Sequence, residues 1–268
     1  MTGRALHEIT KWDVDALIDF IKGVAEDARC KGMVVGASGG LDSAVTAKLC
    51  ADAVGAENVL NIFMPSAVTP AADHIATEKL SGLWETDHEV IDVQPAIDAF
   101  AGMLDAGEPL EKGNISARCR MLILYNRAKK LNYLVAGTTN RSEYMMGYFT
   151  KFGDGASDLS PIIGLYKTQV RQVAEIIGVP KEIIKKIPTA GLWEGQTDEG
   201  EMGITYHDLD IILNGITLGL PDDEIAKDVR TGISKISEIR SRAAETEHKR
   251  KASCRPDTRF NGLFSDKE

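Results

Sequence analysis

The sequence predicts an α/β fold in which parallel strands alternate with crossover helices, and three observations carry that prediction. Short runs rich in β-branched and apolar residues at 33–37, 59–64, 88–92 and 133–137 are separated by stretches whose apolar residues recur at helical spacing, the alternation of βαβ units. The first run opens directly into Ser38-Gly-Gly-Leu-Asp-Ser43 and then a helix, an order of strand, phosphate-sized turn and helix. The chain has 268 residues, 43% hydrophobic and 26% charged, enough for a full core and far from the composition of disordered or low-complexity sequences.

Taken in order, Thr10-Lys-Trp-Asp13 has the form of a variant capping box. Val14, Leu17, Ile18 and Ile21 then follow at i, i+3, i+4 and i+7, so an amphipathic helix precedes the first strand. A helix through 44–50 follows the strand at 33–37, and another at 71–84 separates the strands at 59–64 and 88–92. Met121, Leu124, Tyr125 and Ala128 repeat the helical spacing and lead into the strand at 133–137, which ends in Thr138-Thr-Asn140. Val170, Val173, Ala174 and Ile177 mark one more helix, and Leu209, Ile212, Leu213 and Ile216 another. Between these two, residues 188–203 contain four glycines and no periodicity, which reads as a long loop of the kind that is often functional. Ligands of such sheets gather at the carboxyl ends of strands, so 38–43 and 138–143 are expected to face one crevice.

A formal net charge of -9 argues against a protein that coats nucleic acid, although a basic cluster does occur between Arg240 and Arg259. No apolar run approaches the roughly 18 residues of a membrane helix. The N-terminus lacks the order of a signal peptide, so a cytoplasmic protein is expected. Cys30, Cys50, Cys119 and Cys254 form no C-x-x-C pair, which disfavours a zinc knuckle or dithiol centre.

The richest chemistry lies in residues 36–43, Gly36-Ala-Ser-Gly-Gly-Leu-Asp-Ser43. Adjacent glycines and serines between strand and helix expose backbone N–H groups at a helix N-terminus, which is an anion site; a plain βα turn would use the same residues. Asp42 beside a phosphate would repel it unless a cation lay between, so the segment makes sense as a magnesium site. Neither G-x-x-x-x-G-K-[ST] nor a dinucleotide fingerprint is present. Arg118 and Arg120 read as a pair near the start of a helix, suited to carboxylates or phosphates. Glu143, Lys151 and Asp154 read as lying on irregular, glycine-rich backbone, the mix of charges that a bound polyphosphate and metal require.

Residues 38–43 resemble the pyrophosphatase loop, S-G-G-x-D-S, of enzymes that split ATP between its α- and β-phosphates. Together with Asn114-Ile-Ser-Ala-Arg-Cys-Arg-Met121, Gly137-Thr-Thr-Asn-Arg-Ser-Glu143, Gly147-Tyr-Phe-Thr-Lys-Phe-Gly-Asp-Gly155, Tyr166-Lys-Thr-Gln and Glu247-His-Lys-Arg-Lys251, the chain resembles the ammonia-dependent NAD synthetase family over most of its length. The resemblance implies a Rossmann-like parallel sheet flanked by helices, adenine nucleotide alpha hydrolase-like, in a single domain over 1–268 without the glutaminase domain of glutamine-dependent members. It implies a ligase that amidates deamido-NAD with ammonia through an acyl-adenylate, releasing AMP and pyrophosphate.

By position, Gly36, Ala37, Ser38, Gly39, Gly40, Leu41, Asp42, Ser43, Thr138, Lys167 and Thr189 would contact ATP. Asp42 and Glu143 would bind Mg2+, and Arg118, Lys151, Asp158, His248 and Lys249 would contact deamido-NAD. Asp154 and Lys167 would be catalytic, Asp154 as the group that takes a proton from ammonium, although Asp154 fits a turn position in Gly-Asp-Gly equally well. The basic C-terminal segment is either a solvated helix end or a phosphate clamp, and the resemblance favours the clamp. A homodimer is implied. An adenylate must be kept from water, and residues 188–203, with Glu194, Asp198, Glu199 and Glu201, fit a closing lid or equally a disordered connector. Two other readings predict different sequences: a tRNA-thiolating relative would show cysteine pairs and a basic surface, and a nucleotide sensor would have no need to keep Asp42, Glu143, Asp154 and Lys167 together.

Overall fold

The computed structural model describes residues 5–189 and 197–251. Strands β1 (Gly32–Ala37), β2 (Val59–Phe63), β3 (Asp87–Val90) and β4 (Tyr133–Ala136) form one parallel sheet in the order β3-β2-β1-β4. The helices are α1 (Lys11–Ala28), α2 (Leu41–Val54), α3 (Ala71–Trp84), α4 (Gln94–Leu104), α5 (Pro109–Leu131), α6 (Arg141–Met146), α7 (Lys167–Ile176), α8 (Lys181–Ile184), α9 (Asp198–Met202), α10 (Tyr206–Thr217), α11 (Asp222–Ile225), α12 (Ile233–Glu245) and α13 (Glu247–Arg250).

Side chains alternate across a strand, and β1 shows how this builds two cores. Met33 and Val35 point to one face, where they pack with Ile21 of α1, Val45 and Leu49 of α2, and Val170 and Val173 of α7. Val34 points to the other, with Leu60, Ile62 and Val135 of the sheet, Ile97 of α4, and Cys119 and Ala128 of α5. Covered on both faces, the central strands read as continuous apolar runs rather than alternating ones. A third cluster sits beyond the sheet, where α10, α11 and α12 pack Leu209, Ile212, Leu213, Ile225, Ile236 and Ile239 against Met146 of α6 and Tyr166.

Several local expectations hold in detail. The Thr10 N–H and hydroxyl both donate to the Asp13 carboxylate at the start of α1, and α3 occupies the predicted span. Others shift. The third strand is Asp87–Val90, after which Ile91 and Val93 still donate to the carbonyls of Phe63 and Pro65. Arg118 and Arg120 lie well inside α5, because that helix starts at Pro109, where Glu111 accepts the N–H groups of Gly107 and Glu108. Glu143 is helical, not on irregular backbone. Residues 198–202 are also helical rather than loop, with Thr197 as a cap accepting the Gly200 N–H. Glu194 and Cys254 lie outside the described residues.

The strand order reverses beside β1: β2 lies on one side and β4 on the other, so the connections leaving their carboxyl ends part in opposite directions. That switch point opens the crevice where parallel sheets bind ligands.

Candidate functional site

The turn from β1 into α2 is held by its own serines. Ser43 donates to the Gly40 carbonyl (3.1 Å), the Ser38 N–H donates to Ser43 Oγ (3.2 Å), and the Gly40 N–H donates to Ser38 Oγ (3.2 Å). Gly39 has φ +70°, and a Cβ there would stand 2.8 Å from the Asp73 carbonyl oxygen, so this position admits only glycine without strain. The first amides of α2 have no acceptor within the helix, which gives residues 36–43 a backbone able to hold an anion.

The turn after β4 meets this one, as the sequence predicts. Asn140 caps α6 by accepting the Glu143 N–H (3.0 Å), and its Nδ2 donates to Asp42 Oδ1 (3.2 Å). Lys167, the first residue of α7, places Nζ between Asp42 Oδ2 and Glu143 Oε1 (3.2 Å to the latter). The Lys167 side chain is 4% exposed and those of Asp42 and Glu143 are 16% and 15% exposed, so a buried cation sits between two half-buried carboxylates. Burial pulls the Lys167 pKa down, but the charges of Asp42 and Glu143 outweigh it and leave it raised. Burial pushes Glu143 up, Lys167 opposes this, and Asp42 and Asp198 add to it.

Two carboxylates converging on one cationic position are the donor set that magnesium takes from a protein when substrate phosphates complete its shell. Among the described residues no group of three or more His, Cys, Asp or Glu side chains is placed to hold a metal. Thr138 follows β4 in the same turn. Thr189 is exposed and follows Pro188, whose carbonyl accepts the Asp198 N–H (3.0 Å).

A second group of cations gathers beside α6. Arg118 donates to the Lys151 carbonyl (3.2 Å), and Lys151 Nζ donates to the carbonyls of His248 (2.7 Å) and Lys251 (2.6 Å). Lys249 Nζ donates to the carbonyls of Gly147 (2.8 Å) and Phe149 (3.0 Å), and His248 Nδ1 lies 3.0 Å from the Glu245 carbonyl oxygen. Four of the five residues expected at the dinucleotide therefore form one connected surface. The fifth, Asp158, lies outside that network, with Oδ2 accepting the Val135 N–H (2.8 Å). Asp154 is exposed, and its carboxylate accepts the Thr150 N–H (2.9 Å). Partial desolvation raises its pKa, against that hydrogen bond and the nearby positive charge of Lys249.

Sequence reasoning gave no site role to Asn140, Tyr206 and Asp210, and placed Asp198 only in the expected lid. Asn140 follows the Gly137-Thr-Thr turn and precedes Glu143 by three, the spacing of an N-cap. Asp210 stands within the apolar stripe of its helix beside Leu209 and Leu213, where a carboxylate is out of place unless it is bonded.

A family model described as NAD synthase matches residues 13–253. The NH(3)-dependent NAD(+) synthetase of Thermococcus kodakarensis is 42% identical over 248 residues, which span 91% of this chain and 96% of that protein. The structure of NMN synthetase from Francisella tularensis matches with a TM-score of 0.83 at 34% identity, covering 94% of this chain and 100% of that one. The NH3-dependent NAD synthetase from Campylobacter jejuni, solved with a nitrate ion, matches with a TM-score of 0.77 at 28% identity, covering 91% and 96%. These neighbours share the adenine nucleotide alpha hydrolase-like fold.

Proposed function

The chain belongs to the NAD synthase family, and from that premise we propose how its residues divide the work. It is a ligase that amidates deamido-NAD to NAD with ammonia at the expense of ATP. Support for a single catalytic unit comes from the family match, which spans 13–253. The observation that carries the assignment of the site is the Lys167 ammonium held between Asp42 and Glu143 at the mouth of the crevice between β1 and β4.

A carboxylate is a poor electrophile and must first be activated. The nicotinate carboxylate of deamido-NAD attacks the α-phosphorus of ATP, the bond to the bridging oxygen breaks, and pyrophosphate leaves behind an acyl-adenylate. Residues 36–43, with Thr138 and Thr189, bind the nucleotide through backbone amides and hydroxyls. Lys167 stands against the charge that gathers on the departing pyrophosphate. Asp42 and Glu143 would hold magnesium, which supplies further positive charge against the phosphates. Arg118, Lys151, His248 and Lys249, with Asp158, take deamido-NAD. Asp154 binds ammonium and accepts a proton from it; its raised pKa suits that exchange. Ammonia then attacks the acyl carbon and AMP leaves.

The exposed apolar residues Phe100, Met103 and Leu104 of α4 and Leu110 and Leu122 of α5 support pairing of two subunits through these helices. No helix among the described residues is long and apolar enough to cross a membrane.

Incubation with ATP, magnesium, ammonium and deamido-NAD tests the reading when NAD, AMP and pyrophosphate are followed together. Equal amounts of the three products are expected from ammonium. Adenylation that proceeds only when the deamido form of NMN replaces deamido-NAD would reassign the acceptor and leave the ATP site standing. Asp42→Asn should abolish turnover while deamido-NAD still binds; full activity would remove Asp42 from the machinery.

A further inference from the structure

Helix α10 is an apolar core helix whose buried face carries two polar side chains. Tyr206, Leu209, Asp210 and Leu213 lie at i, i+3, i+4 and i+7 and are all 0% exposed. A buried carboxylate persists only when its oxygens are bonded, and the bonds made by Asp210 are informative. Oδ1 accepts the Ser142 hydroxyl, and Oδ2 accepts both the N–H (2.9 Å) and the hydroxyl (2.8 Å) of Thr168. Ser142 Oγ in turn accepts the Lys167 N–H (3.0 Å). Ser142 immediately precedes Glu143 and Thr168 immediately follows Lys167, so one carboxylate ties the start of α6 to the start of α7.

Tyr206, one turn earlier on α10, reaches the same two side chains from the other end. Its ring centroid lies 5.1 Å from Lys167 Nζ, and its hydroxyl donates to Asp198 Oδ2 (3.0 Å) with Glu143 Oε1 at 3.5 Å. Between α6 and α7 the chain carries only turns and one isolated bridge; the Arg141 N–H donates to the Leu165 carbonyl (2.8 Å), which joins the backbones ahead of the two helices but touches neither the Glu143 nor the Lys167 side chain.

We infer that α10, through Asp210 and Tyr206, is the element that positions Lys167 and Glu143 for the adenylation step. The inference rests on the proposed role of those two residues. Asp210 and Tyr206 are positioning residues: Asp210 sets the backbones from which the pair extends, and Tyr206 sets the side-chain ends.

A double-mutant cycle read by single-turnover pyrophosphate release tests this, with thermal melting as a check on folding. Asp210→Asn turns an amide N–H2 toward the Thr168 donors, and Tyr206→Phe keeps the ring beneath Lys167 but removes the hydroxyl. Misplacement of a reacting group by about 1 Å costs about a hundredfold in rate, so a loss of about a hundredfold is expected for Asp210→Asn. About tenfold is expected for Tyr206→Phe, the milder change, with the ATP concentration at half saturation nearly unchanged in both. In a Lys167→Ala background each substitution should cost clearly less than it does alone, because only Glu143 is then left to misplace and residues that act through a shared group are not additive. Additive losses, or unchanged rates in both single variants, would overturn the inference. If Asp210→Asn fails to fold, the Tyr206→Phe cycle decides by the same criterion. An unchanged rate in Lys167→Ala itself would overturn the reading of the ATP site and this inference with it, whereas a collapse in Lys167→Ala beside additive effects on α10 overturns only the latter.

Discussion

Lys167 and Lys249 are both drawn out of water, and the molecule compensates them in opposite ways. For each the largest influence is burial, which pulls the pKa down. At Lys167 the charges of Asp42 and Glu143 more than reverse that pull, and the pKa is raised. At Lys249 the partners are the neutral carbonyls of Gly147 and Phe149; Asp154 is the opposing charge, Arg242 adds to the lowering, and the pKa stays below that of an ordinary lysine. Lys151 and Arg118 likewise donate to carbonyls rather than carboxylates. The proposed nucleotide side is thus an ion cluster whose lysine is paired before any ligand arrives. The proposed dinucleotide side holds cations that donate to neutral carbonyls, and such bonds can be exchanged for phosphate oxygens.

The paired cluster breaks most sharply at its centre. Lys167→Ala removes the cation against which pyrophosphate leaves, and a loss of about a thousandfold in kcat is expected from steady-state rates with saturating ATP. A rise in KM for ATP with kcat intact would mean that the ammonium only binds and does not act in the transition state. Gly39→Ala acts through backbone instead. Its left-handed φ costs an L-residue about 1–2 kcal/mol, and the added Cβ meets the Asp73 carbonyl at 2.8 Å. Lys186 Nζ bridges the same two elements, donating to the Gly39 carbonyl (2.9 Å) and the Asp73 carboxylate (2.7 Å), so the turn has little room to move away. ATP affinity measured by calorimetry should fall about tenfold, the equivalent of 1.4 kcal/mol, while deamido-NAD affinity holds; a loss shared by both ligands would show that the damage is global.

The contrast between the two regions also separates what the sequence makes legible from what it hides. Alternating β-branched and helical patterns locate the four strands and their major helices, because burial of an apolar face imposes its period on the chain. The turn at 38–43 is legible for a related reason, since two glycines and two serines at one strand end carry a backbone requirement. Asn140, Tyr206 and Asp210 escape because their roles lie in bonds to residues far away in sequence. Asp210 contacts Ser142 and Thr168 only once α10 has packed, and no local pattern announces those partners. α6, α11 and α13 are too short for periodicity to register. The residues of the C-terminal basic run suit a solvated end or a clamp, and nothing in the run itself announces that Lys151 and Lys249 tie α13 to the turn at 147–152.

Lys249→Ala sharpens the contrast at the other lysine. A charged hydrogen bond to phosphate is lost, and KM for deamido-NAD should rise about tenfold with kcat and KM for ATP little changed. Because the clamp lies at the surface, the penalty should shrink as salt is raised. A fall in kcat equal to the rise in KM would move Lys249 from binding into the chemical step.

The smallest effect expected, a few-fold change, is also the most discriminating, because it uses the opposite pKa directions of the two lysines in one experiment. As pH rises towards the ordinary lysine value, Lys249 loses its proton first, since its pKa is lowered, whereas Lys167 keeps its own. With ammonia saturating throughout, KM for deamido-NAD should rise over that alkaline range while KM for ATP stays flat. The Lys249→Ala variant should lose the deamido-NAD trend. Linkage gives an independent sign: between the lowered folded pKa of Lys249 and its unfolded value the unfolded chain binds more protons, so this group adds stability as pH rises. Weakening of the clamp should therefore not be accompanied by melting that traces to Lys249. Parallel rises in both KM values, or an alkaline trend that survives in Lys249→Ala, would show that the two lysines are not held in different electrostatic states and that the division between a paired and an unpaired half of the site is wrong.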